Sequence, residues 1–234
     1  MTKPSAFFDL QQAFQEAGCP FCRLLNRTAD QYIDGVLWEL VNDPDIRQEL
    51  SRSRGYCPRH AWLLVRHGAS LGAAILMEEV ITTLLDLLAQ ARFDPPPPAG
   101  LGRLFGQRQT GGGDALADEL SPQTDCPVCA LTRTTEARYI RALLDHLPEL
   151  LPYYQNSHGL CLPHFRQVLR QTQDPTTFNH LRRAQQAAWK RLQHHLREFI
   201  RKNDHNVREP FGVEGDSWLR AIEAIAGARP PRGV

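Results

Sequence analysis

Six cysteines fall in four short words of this 234-residue chain: CPFC at 19–22, GYCPRH at 55–60, CPVC at 126–129 and GLCLPH at 159–164. They form two copies of one pattern, Cys-x2-Cys followed by Cys-x2-His, with 34 residues between the pairs in the first copy and 31 in the second. Smaller matches ride along. Tyr32-Ile33 returns as Tyr139-Ile140, Pro44 as Pro148, and Gly55 as Gly159. A repeat of this kind reads as one structural unit used twice. No cysteine is left over, so whatever the first set does, the second is expected to do as well.

The remaining composition excludes more than it suggests. A formal charge of +1 gives no global electrostatic case for nucleic acid or a membrane surface. The most apolar run, 71–91, carries Glu78, Glu79 and Asp86, which are too costly for a bilayer core. The first residues lack the apolar stretch of a secretory signal, so the expected setting is the cytoplasm. In a reducing compartment, regularly spaced cysteines more often hold metal than form disulfides.

Apolar residues recur at helical spacing throughout, and nothing alternates as a strand does. Phe7, Leu10 and Phe14 mark a helix stopped by Gly18. The proline after Cys19 starts a long helix, with Leu24, Leu25, Tyr32, Val36, Leu37 and Leu40 as its buried side. A short helix follows Pro44, another starts at Pro58 with Trp62, Leu64 and Val65, and Ser70 caps a long one. The second copy predicts helices at 127–145, 148–156, 162–172 and 175–202. A final helix in GDSWLRAIEAIAG is expected to dock through Trp218, Ile222 and Ile225. The expected fold is all-α, an internally duplicated helical repeat with each half built around a Cys3His metal site. Its parts are a first repeat at 1–93, a Pro/Gly-rich connector at 94–125 with a short helical turn at 116–120, a second repeat at 126–203 and a tail at 204–234.

Three thiolates and one imidazole are the ligand set of a closed tetrahedral zinc site. A cysteine at a helix start, followed by proline, lies beside free backbone N–H groups and the positive end of the helix dipole, which favours the thiolate. Taken in chain order, site one is Cys19, Cys22, Cys57 and His60, and site two is Cys126, Cys129, Cys161 and His164. Ligation across the halves is the lesser choice. Two Zn2+ per chain are expected, with an iron–sulfur cluster as the alternative. A dithiol redox role would need a βαβ setting that the chain lacks, though a zinc-releasing thiol sensor stays open. With four protein ligands the sites have no open position for substrate, and no catalytic centre is evident.

The duplicated CPxC…GxCxxH, followed by the tail EPFGVEGDSWLRAIE at 209–223, resembles an uncharacterised family of bacterial helical proteins. The resemblance covers nearly all of the chain apart from the connector and brings no activity with it. The expected function is a zinc-stabilised binding or adaptor protein with a protein partner. The tail helix and the basic helix 175–202 are its candidate surfaces, and nucleic acid is the weaker alternative partner for the same arginines.

Overall fold

The computed structural model describes residues 3–93 and 113–229, which form helices and turns with no strand among them. The elements are α1 (Ser5–Ala13), α2 (Pro20–Trp38), α3 (Pro44–Arg52), α4 (Pro58–Ala61) running into a 3-10 turn (Trp62–Leu64), α5 (Ser70–Gln90), α6 (Asp114–Leu120), α7 (Pro127–Asp145), α8 (Leu147–Asn156), α9 (Leu162–Gln171), α10 (Pro175–Lys202) and α11 (Ser217–Ala226). Connector residues 94–112, with most of the glycine-rich TGGGD segment, lie outside the described residues.

Helix starts follow the chemistry of their first residues. Proline opens α2, α3, α4, α7 and α10, where its missing N–H costs nothing. Asp43 caps α3 by accepting from the Asp45 and Ile46 amides, and Asp174 caps α10 by accepting from Thr177. Ser70 is the first residue of α5 rather than its cap, which is Ala69.

The described chain divides into two compact units. The first is drawn from Met1–Ala29 and Thr132–Pro231, the second from Asp30–Leu131. In the first, Phe7 and Leu10 of α1 and Phe14 at its C-terminal cap pack with Phe21 and Leu24 of α2, Ile140 and Leu143 of α7, Leu150 and Tyr154 of α8, and Leu181 and Ala184 of α10. Phe14 stacks on Tyr154 with ring centroids 5.2 Å apart. In the second, the buried residues include Ile33, Val36 and Leu37 of α2, Leu50 of α3, Leu63 and Leu64 of the 3-10 turn, Leu76 and Val80 of α5, and Val128 of α7. Arg66 ties the turn after α4 to α2 through Asp30 and Asp34, and Arg47 of α3 pairs with Glu79 of α5. Both α2 and α7 contribute residues to both units.

Several expected burials are corrected. Leu40 lies beyond the end of α2 and is exposed. Of the residues named after Pro58, Leu64 is buried in the 3-10 turn together with Leu63, while Trp62 and Val65 are exposed. Helix α11 does not dock through Trp218, Ile222 and Ile225, all of which are about half exposed or more. It turns its small face inward, with Ser217 fully buried and Ala221 and Ala224 half-buried. Small residues permit closer approach of the backbone than a tryptophan would.

Candidate metal centres

The structure gathers all eight expected residues into two clusters, but not in chain order. Cys19 and Cys22 meet Cys161 and His164, while Cys57 and His60 meet Cys126 and Cys129. The within-half assignment is therefore corrected: each cluster joins the CPxC of one half to the CxxH of the other. Helix length is the reason. The 19 residues of α2 run about 28 Å at 1.5 Å per residue. The return leg is the 9-residue α3, about 13 Å long, and the chain then turns tightly, with the Gly55 amide bonded back to the Leu50 carbonyl. Cys57 thus cannot regain the start of α2. The second half repeats the mismatch, with 19 residues in α7 against 10 in α8. Each cluster lies wholly inside one compact unit.

Each cluster is built where two helix starts converge. Cys19 immediately precedes α2 and Cys161 is the N-cap of α9; Cys126 immediately precedes α7 and Cys57 is the N-cap of α4. In the first cluster the Cys22 and Cys161 sulfurs are 3.6 Å apart, and His164 Nδ1 lies 3.0, 3.4 and 3.6 Å from the sulfurs of Cys161, Cys22 and Cys19. In the second, Cys57 and Cys129 are 3.6 Å apart. There His60 Nδ1 lies 3.4 Å from each of those sulfurs and 3.7 Å from that of Cys126. A tetrahedron with bonds of about 2.3 Å to sulfur and about 2.0 Å to nitrogen has edges of about 3.8 Å between sulfurs and about 3.6 Å from sulfur to nitrogen. The observed spacings are those edges to within a few tenths of an ångström for most pairs, and all four ligand atoms lie within 4.8 Å of one another. Each cluster can hold one metal ion.

Protonation in the clusters shows what a cation would relieve. Burial, reinforced by the neighbouring thiols of Cys161 and Cys22, holds the Cys19 thiol well above its ordinary range. Hydrogen bonds from Cys161 and Cys19 pull Cys22 strongly down, and His164 adds to this. His164 itself is desolvated, yet bonding to Cys161 and Cys22 raises it to about 10. In the second cluster, burial pushes Cys57 up but is outweighed by the backbone amides of His60 and Arg59 and the Cys129 thiol, so it falls below its usual value. Cys129 is pushed up to about 12 by burial and by its bond to Cys57. Burial, then the neighbouring Arg59, lowers His60. Packed sulfurs thus share protons, and a bound divalent cation removes the need to keep them.

Several supporting residues carry no signal in the motif. Gln185 of α10 is 1% exposed. Its Oε1 accepts from the Leu160 amide and the Tyr154 hydroxyl, and its Nε2 donates to the Leu160 carbonyl. That amide clamp fixes the residue just before Cys161. Gly159 passes against α10 at φ +80°, where a Cβ would come within 2.9 Å of the Ala188 Cβ. Glu136 of α7 lies 3.7 Å from His164 Nε2, the ring nitrogen turned away from the sulfurs, and so orients the imidazole. The segment after α11 completes the first cluster. Gly227 packs beside the sulfurs of Cys22 and Cys161, and the Ala228 amide donates to Cys22 Sγ at 3.3 Å. Gln185 lies on the buried side of α10 beside Ala184, and no local sequence pattern marks it as a clamp.

Comparison with known proteins gives the same picture of kinship without an activity. Residues 1–232 match the model of a family of unknown function, DUF6062, and the chain belongs to that family. It is also similar to an uncharacterised 23.9 kDa protein in the xynA 3′ region of Caldicellulosiruptor sp. (strain Rt8B.4). The two are 25% identical over 226 residues, covering 92% of this chain and 98% of the relative. No solved structure matches. Among the described residues, no helix is long and apolar enough to cross a membrane.

Proposed function

We propose that this is a zinc-stabilised helical binding protein of the cytoplasm, with one Zn2+ in each Cys3His cluster and no catalytic role for either ion. The observation that carries the reading is the tetrahedral spacing of three sulfurs and one imidazole nitrogen in both places. Four ligands on a single ion leave no position for water or substrate. An iron–sulfur cluster would spread its ligands over more than one iron, which the close approach of all four atoms disfavours. Each ion would staple the start of a long helix to a helix from the other half of the sequence, and its binding energy would be folding energy. The protein partner would sit on the exposed face of α11, where Trp218, Leu219, Ile222 and Ile225 are 48%, 47%, 56% and 60% exposed. The test is metal content of the anaerobically purified chain together with its absorption spectrum. Two zinc ions and no visible colour support the reading. A brown iron-containing sample, or folded protein with no metal, contradicts it.

A second reading is favoured by one difference between the clusters. The cysteines of the first are all buried, whereas Cys57 and Cys129 of the second are half-buried with their sulfurs 3.6 Å apart. In a thiol sensor, a peroxide would take two electrons from these two thiolates and form one disulfide. With two protons the peroxide would become two waters, and the second-cluster metal would be released. Disulfide mapping after graded peroxide separates the readings. A Cys57–Cys129 bond formed with release of one metal at stoichiometric peroxide supports the sensor; retention of both metals supports purely structural sites.

A further inference from the structure

Beside the first cluster, between the α8–α9 turn, α10 and α11, lies a cavity of about 220 Å3. Its size is below the roughly 300–1,000 Å3 of pockets for drug-sized ligands, which limits an occupant to a small metabolite. The walls include carbon from Leu160, Ala188, Leu192 and Ala224, and among the charged groups that line it Arg191 and Glu223 have opposite sign.

The two charges do not satisfy each other, and this decides the chemistry. Arg191 spends Nη2 on the carbonyls of Gln155 and Ser157, at 2.9 and 2.7 Å, which fixes the guanidinium on the turn. Its Nε and Nη1 donors make no hydrogen bond among the described residues. Arg220, the other guanidinium at the cavity, is committed to Asp216, the Val213 carbonyl and His195. Glu223 takes part in no ion pair or side-chain hydrogen bond among the described residues, although it lines the same space. A simple anion would meet Arg191 but be repelled by Glu223, and a simple cation would meet the reverse. A zwitterion satisfies both.

We infer that this cavity binds a free α-amino acid with a small apolar side chain: the carboxylate on Arg191, the ammonium on Glu223 and the side chain against Leu160, Ala188 and Leu192. Charge-assisted contacts at both ends supply recognition, and Leu160, Ala188 and Leu192 offer the side chain an apolar surface. The inference does not depend on which metal fills the neighbouring cluster.

Calorimetric titration of the full, metal-loaded chain with L-leucine tests it, alongside two analogues that each lack one charge. 4-Methylpentanoate has no ammonium, and leucinamide has no carboxylate. L-leucine is expected to bind at sub-millimolar concentration, with each analogue weaker by about tenfold or more. Glu223→Gln, which breaks no side-chain hydrogen bond or ion pair among the described residues, is expected to weaken leucine by a similar factor and to strengthen 4-methylpentanoate, which is relieved of the carboxylate's repulsion. Arg191→Met is expected to abolish leucine binding. No heat from leucine, valine or methionine at 10-millimolar order overturns the inference. So does equal binding of leucine and 4-methylpentanoate, or a Glu223→Gln variant that binds leucine as the parent does.

Discussion

The sulfurs of Cys22 and Cys161 lie 3.6 Å apart although 139 positions separate them in the chain. That contact ties the start of α2 to the start of α9, and the same relation joins Cys57 to Cys129 at the starts of α4 and α7. Ligand pairs that look self-contained in chain order are thereby exchanged in space.

Gln185 holds Leu160, the residue just before Cys161 of the first cluster. Gln185→Leu removes the partner of the buried Leu160 amide and carbonyl and of the Tyr154 hydroxyl. Leaving such groups unpaired is expected to cost about 2–4 kcal/mol, read as a lower midpoint in denaturant unfolding of the metal-loaded chain. A loss below about 0.5 kcal/mol would show that the clamp is not needed.

Much of this arrangement was legible beforehand. The prolines after Cys19 and Cys126, and the Asp174-Pro175 step, placed the long helices at their observed starts, because proline and capping chemistry act locally. The eight cluster residues were legible for the same reason. Their grouping was not, since chain order alone favoured the nearer partner. The missing step was metric: a 19-residue helix cannot be retraced by a 9-residue one. The face of α11 was misread because its apolar residues suggested burial, whereas Ser217 and the alanines are what fit against the first unit. Gln185 and the Arg191–Glu223 cavity depend on residues brought together from separate helices, which no local pattern encodes.

Gly227 carries a different prediction. It has φ +88° and sits where a Cβ would lie 3.6 Å from Cys22 Sγ. Gly227→Val forces a branched side chain into a left-handed backbone beside the sulfurs, a strain of about 1–3 kcal/mol. The Ala228 amide is then expected to withdraw from Cys22. If the clusters hold zinc as proposed, its transfer to a chelator should speed up about tenfold or more for one ion per chain and stay unchanged for the other. Equal acceleration of both ions, or of neither, would remove the tail from the first cluster.

The tail is held by Lys202, whose Nζ donates to Glu214 Oε1 at 2.7 Å, with the Gly212 amide donating to the same oxygen at 2.8 Å. The lysine first, then the amides of Gly212 and of Glu214 itself, lower Glu214 from 4.5 to about 2. A carboxyl depressed in the folded state contributes its full stabilisation above the unfolded value and loses it as pH falls toward the folded one. Tail docking is therefore expected to be insensitive to this group above about pH 4.5 and to weaken between there and pH 2. The Gly212 amide resonance reports it, with a Glu214 midpoint well below 4.5 and a displaced, pH-independent signal in Glu214→Gln. A midpoint near 4.5 would mean that the contact does not form.

The most direct test compares metal content in two double variants. If each ion is held across the halves, Cys22→Ser with Cys161→Ser damages one cluster and leaves about one zinc per chain, while Cys22→Ser with Cys57→Ser damages both and leaves close to none. The reverse result, one zinc in the Cys22/Cys57 variant and none in the Cys22/Cys161 variant, would restore the chain-order sites and contradict the exchanged arrangement.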